Sequence, residues 1–217
     1  MKNIAVIGAG GIGSYFLRFM HRAEACRQLT PSLSEWHVYD DDTVEPKNLR
    51  HQDYETEHVS MHKVVVAAAL FGICPKPYKF VQGNLNQYDF FVIAADNPAV
   101  RTLVYTECLK STKKGFLDMR TEGTRFALFT SYESPVRLMR SLGTEKTRTS
   151  EVGRSCQLAE DVKVNKTQFG NIVVSSLGAQ VMLDLQRDDC EIASILGDAS
   201  GKMHSIRKRK QEDALCL

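Results

Sequence analysis

Four glycines, Gly8, Gly10, Gly11 and Gly13, separate a short apolar run at residues 4–7 from a segment in which Ile12, Phe16, Phe19, Met20 and Ala23 recur at helical spacing. A strand that turns on glycine into a helix presents unpaired helix N–H groups to an anion and lets the backbone come close to it. The pattern Gly8-x-Gly10-x-x-Gly13 therefore predicts a phosphate cradle, with a tight packing turn as the plain alternative, and it does not say which nucleotide. Residues 36–39 read as a second strand ending in Asp40, Asp41 and Asp42. An acid at that place ordinarily accepts hydrogen bonds from ribose hydroxyls, and Asp40 stands there. It lies 27 residues beyond Gly13 (40 − 13), a longer interval than the roughly 20 of dinucleotide sites. Asp41 and Asp42 read equally well as solvated turn carboxylates. Cys156, beside Arg154 at the end of a polar stretch, is either a structural thiol or a thiolate able to accept an activated acyl group.

These residues need elements to hold them. A helix is expected over 61–71, ended by Pro75 and Pro77, then a strand over 78–81 and a fully buried strand over 90–95. Asp96-Asn97-Pro98 supplies a cap and a first-turn proline for a helix to about residue 110, and strands follow at 116–119 and 125–132. Residues 133–161 lose any sustained period and read as a long loop. A helix over 165–187 comes next, and the end of the chain, 198–217, reads as a basic, disordered tail around Arg207-Lys208-Arg209-Lys210. The expected architecture is α/β: a Rossmann-like, doubly wound, mostly parallel sheet with a long crossover loop before a C-terminal helix. One domain over 1–197, including loop 133–161, accounts for the length of 217 residues.

The stretch Asp40-Asp-Asp42-Thr-Val-Glu-Pro-Lys-Asn48-Leu-Arg50-His51-Gln52-Asp-Tyr54 resembles the D-x-D-x-V-x-x-x-N-L-x-R-Q-x-F segment of the ThiF/MoeB family of ubiquitin-activating-type adenylating enzymes. Lys63 in His-Lys-Val, Asp96-Asn97 in Ala-Ala-Asp-Asn, and Arg120-Thr-Glu122-Gly123 keep that family's order, so the likeness runs over residues 4–132. Further on, Ser155-Cys156-Gln-Leu-Ala-Glu160 and Gln168-Phe169-x-Asn171 resemble the C-terminal part of small ThiF-like proteins of plasmids and phages. The resemblance implies ATP and Mg²⁺ as cofactors. It assigns phosphate contacts to Gly8, Gly10, Gly11 and Gly13, the ribose to Asp40 with Asp42 beside it, phosphate orientation to Asn48 and Gln52, charge balance to Lys63, and Mg²⁺ to Asp96. Lys63 as a solvated helix residue and Asp96 as a mere helix cap are the alternatives. His51 stands where the family carries arginine, and imidazole cannot reproduce a bidentate guanidinium fork on phosphate, so Arg50 becomes the candidate for that charge. The chain also starts at its first strand, without the arginine-bearing N-terminal helix of family members.

The function so implied is adenylation of the C-terminal carboxylate of a small ubiquitin-like or sulfur-carrier protein of β-grasp fold, with Cys156 as a possible acceptor and a homodimer as the assembly. Such chemistry is positioning and charge neutralisation rather than proton transfer. A degenerate, non-catalytic ThiF-like module that binds a β-grasp partner or nucleotide is the first rival, and an NAD(P)-dependent oxidoreductase the second. Composition narrows the field further. Lys+Arg minus Asp+Glu is 28 − 26 = +2, too close to balance for a chain-wide field aimed at nucleic acid or a membrane surface. Six cysteines without C-x-x-C pairs and no run long enough to span a bilayer point to a soluble, cytoplasmic chain.

Overall fold

The computed structural model describes residues 1–146 and 169–209. Their order is β1 Ile4–Ile7, α1 Gly11–Ala25, β2 His37–Tyr39, α2 Lys63–Phe71, β3 Cys74–Lys76, β4 Phe90–Ile93, α3 Pro98–Lys110, β5 Gly115–Glu122, β6 Arg125–Thr130, α4 Pro135–Lys146, α5 Gly170–Gln186, β7 Ile192–Asp198 and β8 Lys202–Lys208. All eight strands join one sheet in the order β3-β2-β1-β4-β5-β6-β7-β8. From β3 to β5 the pairings are parallel, and from β5 to β8 they are antiparallel.

The parallel half is wound on both faces because its strands are apolar on both. Successive side chains of a strand point to opposite faces, so Ile4 and Val6 pack with Phe16 and Met20 of α1, Val64 of α2 and Val174 of α5. Ala5 and Ile7 pack on the other face with Val104 and Tyr105 of α3 and Leu138 of α4. Beyond β1 the chain runs outward to β2 and β3, then returns to place β4 on the opposite side of β1. Adjacent strands whose connections leave in opposite directions open a crevice at their carboxyl ends, which is where doubly wound sheets take ligands.

Three expectations change. No strand forms over 78–81; the edge strand is β3, which starts four residues earlier, and it contains Pro75. A proline is tolerated there because an edge strand has neighbours on one side only, while Phe80 turns inward to join the aromatic core. Helix α2 stops before the prolines, at Gly72 with φ of 74°, a left-handed C-terminal cap natural to glycine. The expected loop 133–161 begins instead with α4, because Leu138 and Leu142 are one helical turn apart and bury against the sheet face covered by α3. The rest of that segment, 147–161, lies outside the described residues.

The expected tail is a hairpin. Strands β7 and β8 pair across a turn in which Gly201 has φ of 94° and the Ser200 N–H donates to Asp198 Oδ1 at 2.8 Å. Its basic residues are engaged: Arg207 Nε lies 3.8 Å from the buried Glu133 carboxylate, Lys208 pairs with Glu191, and Arg209 stacks at 4.5 Å on the ring of Tyr132. Strand β7 buries Ala193 and Ile195 against the core, and β8 joins it by strand pairing and locally paired charges, so the basic composition alone read the segment as solvated. Residues 210–217 lie outside the described part. Among the described residues, no helix is long and apolar enough to cross a membrane.

Candidate functional site at the carboxyl ends of the central strands

The crevice between β1 and β4 collects most of the residues singled out by sequence. Gly8 has φ of 101° and its N–H donates to Tyr39 O at 2.8 Å. A Cβ there would stand 2.9 Å from the backbone of Ala94 and Ala95, and one on Gly13 would stand 2.0 Å from Gly8 O. Both glycines are thus required by close backbone approach. Gly10 differs: among the described residues no heavy atom lies within 4 Å of a Cβ placed there. The loop is tight underneath and open at Gly10, at the N-terminal cap of α1, and a helix start leaves its first N–H groups without partners inside the helix.

Asp40 follows β2 directly, next to that loop. Its Oδ2 accepts the Ala9 N–H at 2.7 Å and its Oδ1 accepts the Asp42 N–H at 2.9 Å. Burial pushes its carboxyl above the ordinary carboxylate value, against the Lys63 charge and the two N–H donors that draw it down. Residues 42–44 pair with 60–63 through the Lys63 N–H to Asp42 O bond at 3.0 Å and the Val44 N–H to Met61 O bond at 2.8 Å. That pairing brings the head of α2 to the acidic run. Lys63 is 5% exposed rather than solvated, and its Nζ donates to Asp42 Oδ2 at 2.7 Å. Burying a charge costs free energy unless a partner offsets it, and Asp42 is that partner.

Between these acids and Lys63 runs a short 3-10 turn, Pro46–Arg50. Asn48 is buried and its Oδ1 accepts the Glu45 N–H at 2.8 Å. Gln52 is buried too, its Nε2 3.4 Å from His51 Nε2, while among the described residues its Oε1 has no hydrogen-bond partner. An unpaired buried oxygen costs about 1–3 kcal/mol, the kind of debt a ligand donor would cancel. Burial lowers the proton affinity of His51, and the charges of Lys63 and Lys47 lower it further, so this position offers a neutral imidazole in place of a guanidinium. Arg50 is exposed on the same turn.

Asp96 is exposed, three residues past the end of β4. It does not cap the next helix: Asn97 does, its Oδ1 accepting the Ala99 N–H at 2.9 Å. The Asp96 carboxylate is therefore not consumed by capping. Among the described residues no cluster of three or more His, Cys, Asp or Glu could enclose a metal. Mg²⁺ needs no such cage, since it takes one or two carboxylates with phosphate oxygens and waters, and the accessible Asp96 carboxylate fits that demand.

Sequence reasoning missed the buried network behind Asp96. Asp118 of β5 is 0% exposed. Its Oδ1 accepts Arg101 Nε at 3.1 Å, its Oδ2 accepts Arg120 Nε at 2.8 Å, and the Tyr105 hydroxyl donates to it. Burial alone would raise the carboxyl, but Arg120 and Arg101, with the hydrogen bonds, hold it below the ordinary carboxylate value. Arg101 also donates through Nη2 to Ala95 O at 2.6 Å, clamping the backbone just before Asp96. An acid inside the apolar run Phe116-Leu117-Asp118-Met119 was the available signal. Cys156 lies outside the described residues. Of the other cysteines, Cys26 is exposed, and burial pushes the Cys108 thiol up to about 12 and raises that of Cys190, away from thiolate chemistry.

With this geometry established, comparison places the chain among known proteins. A model of the ThiF family matches residues 1–177. The adenylyltransferase and sulfurtransferase UBA4 of Yarrowia lipolytica is 29% identical over 114 residues, covering 48% of this chain and 27% of UBA4. Among solved structures, E. coli MccB with AMPCPP and MccA matches with a TM-score of 0.67 at 14% identity, covering 97% of this chain and 65% of that one. E. coli MccB with ATP gives 0.66 at 13% identity, over 96% of this chain and 64% of that one. PaaA gives 0.65 at 10% identity, again over 96% and 64%. These structural likenesses establish the Rossmann-like α/β fold. The chain spans about a quarter of UBA4 and under two thirds of MccB and PaaA.

Proposed function

The chain belongs to the ThiF family, and we propose that its crevice binds ATP with Mg²⁺ and adenylates the C-terminal carboxylate of a small ubiquitin-like or sulfur-carrier protein. The observation that carries this reading is the buried Lys63, held by Asp42 beside a glycine loop that is open only at Gly10. Support comes also from the relatives: UBA4 is named an adenylyltransferase and sulfurtransferase, and MccB has been crystallised with ATP.

In this reading the N–H groups at the start of α1 receive phosphate oxygens, Asp40 accepts from the ribose hydroxyls, and Lys63 exchanges part of its contact with Asp42 for phosphate. Asn48 and Gln52 border the phosphate chain. Asp96 would hold Mg²⁺, which supplies charge neutralisation on the phosphates and the departing pyrophosphate. The protein's own task is to align the substrate carboxylate with the α-phosphate, so that one P–O bond forms as another breaks, with no general base. Neutral His51 leaves the site one guanidinium short of the family pattern. Arg50 is the nearest candidate in sequence, and a second copy of the chain is a further source in a homodimer. Transfer of the activated acyl group to Cys156 remains part of the proposal.

The test is a thermal-shift comparison of ATP with Mg²⁺, ATP alone, NAD(H) and NADP(H), followed by ATP–pyrophosphate exchange with candidate β-grasp proteins. Ligand at ~100 times its dissociation constant adds roughly 2.7 kcal/mol, a rise of roughly 5–10 °C for a chain this long. A Mg²⁺-dependent shift with ATP and carboxylate-dependent exchange are expected. A shift with nicotinamide nucleotides alone would overturn the reading, and binding without exchange would favour the degenerate module.

A further inference from the structure

Helix α5 carries no residue assigned to nucleotide or metal, yet its first turn reaches the crevice. Gly170 makes the approach possible: a Cβ there would meet Gly123 O, in the β5–β6 turn, at 2.2 Å. The next residue, Asn171, is 2% exposed. Its Nδ2 donates to His51 O at 3.3 Å, and its Oδ1 accepts the Thr121 hydroxyl at 2.7 Å. The His51 carbonyl can only accept, which fixes the amide with its NH₂ toward His51 and its oxygen toward Thr121. On the far side, a Cβ on Gly11 would stand 2.4 Å from Asn171 Nδ2. One buried amide thus touches the turn that carries Asn48 and Gln52, the glycine loop, and a central strand.

Resting on the nucleotide reading above, we propose that Asn171 is a positioning residue for nucleotide binding: it sets the distance between the glycine loop and the 48–52 turn, so that the two sides of the phosphate site are preformed. Gly11 is glycine because the Asn171 amide occupies the space of its side chain. Thr121 acts one step further back, by fixing which way that amide faces. Preformed sites bind more tightly because little ordering remains to be done on binding. A contrast lies one turn along the same helix. The Ser175 hydroxyl donates to Ile12 O at 2.8 Å and is fully buried, tying α5 to α1 without touching the 48–52 turn.

The experiment is calorimetric titration of ATP with Mg²⁺ into the full chain and its variants, with melting temperatures measured alongside. Asn171→Ala and Asn171→Asp, which both lack the donor to His51, should weaken ATP binding roughly tenfold, and Thr121→Val about threefold. Ser175→Ala should lower the melting temperature to a similar degree yet leave ATP affinity within about twofold of wild type. Wild-type affinity in Asn171→Asp and Thr121→Val would overturn the proposal. So would an affinity loss in Ser175→Ala equal to that in Asn171→Ala, since general loosening of α5 would then suffice. A wild-type chain that fails to bind ATP is a separate outcome: it removes the nucleotide reading itself, and this inference with it. Should Asn171→Ala not fold, Thr121→Val carries the test, because that substitution preserves shape and removes only the hydroxyl.

Discussion

At the scale of single residues, the site contrasts two charges of opposite accessibility. Asp96 is exposed and plays no part in capping α3. Asp96→Ala should therefore melt within about 2 °C of wild type, as surface substitutions usually change stability by no more than ~0.5 kcal/mol, while Mg²⁺-dependent ATP binding is lost. Unchanged affinity in that variant would remove Asp96 from the site. Lys63 is the converse, buried against Asp42. Lys63→Met keeps the apolar stem but deletes the ammonium, so ATP binding should fall at least tenfold while the fold persists; titration with ATP checks it. Sequence alone could name both residues through the family resemblance, in which each keeps its place in the order of motifs. It could not say that Lys63 is buried, since that depends on the pairing of 42–44 with 60–63.

At the scale of elements, the turn from β1 to α1 and the clamp between α3 and β5 behave differently under mutation. Gly13→Ala sets a Cβ on top of Gly8 O and should distort the turn, with loss of both stability and nucleotide binding. Gly10→Ala meets nothing within 4 Å among the described residues. It should fold normally, and a fall in ATP affinity without a fall in melting temperature would mark the phosphate's place. The clamp centres on Asp118, which Arg120 and Arg101 keep ionised although burial opposes it. A carboxyl held below its ordinary value contributes stability that is present above the unfolded-state value, about pH 4, and is lost as pH falls through the lower folded value. Asp118→Asn should cost about 3–5 kcal/mol at pH 7, the usual consequence of breaking a buried ion pair. Denaturant unfolding should show the gap to wild type narrowing as pH drops below about 4; an equal gap at pH 7 and pH 3 would contradict the assigned role.

At the scale of the whole molecule, the sheet joins a parallel half that builds the crevice to an antiparallel half that closes the far side. A chain ending after Cys190 would lose β7 and β8, uncovering the edge of β6 and the apolar contacts of Ile195. Exposed hydrophobic strand edges recruit other chains, so this truncation should aggregate or lose its cooperative melt, measurable by scattering and circular dichroism. A cooperative transition at the wild-type temperature would show the hairpin to be an accessory.

By itself the sequence determined the glycine turn, the acid after β2, the alternating strands and helices of the first hundred or so residues, and the family to which they belong. The turn, the acid and the elements rest on short-range pattern, since apolar period, glycine spacing and capping residues act within a few positions of one another, while the family rests on the resemblance of motifs kept in order along residues 4–132. Only the tertiary structure decided that Asn97 and not Asp96 caps α3, and that α4 lies where a loop was expected. It also brought Asn171 within reach of His51, 120 positions away, and closed the hairpin at residues 192–208 on Glu133 and Tyr132. Those outcomes depend on which distant side chain offers a charge, a carbonyl or an apolar surface, and such partners become neighbours only once the sheet has brought them together.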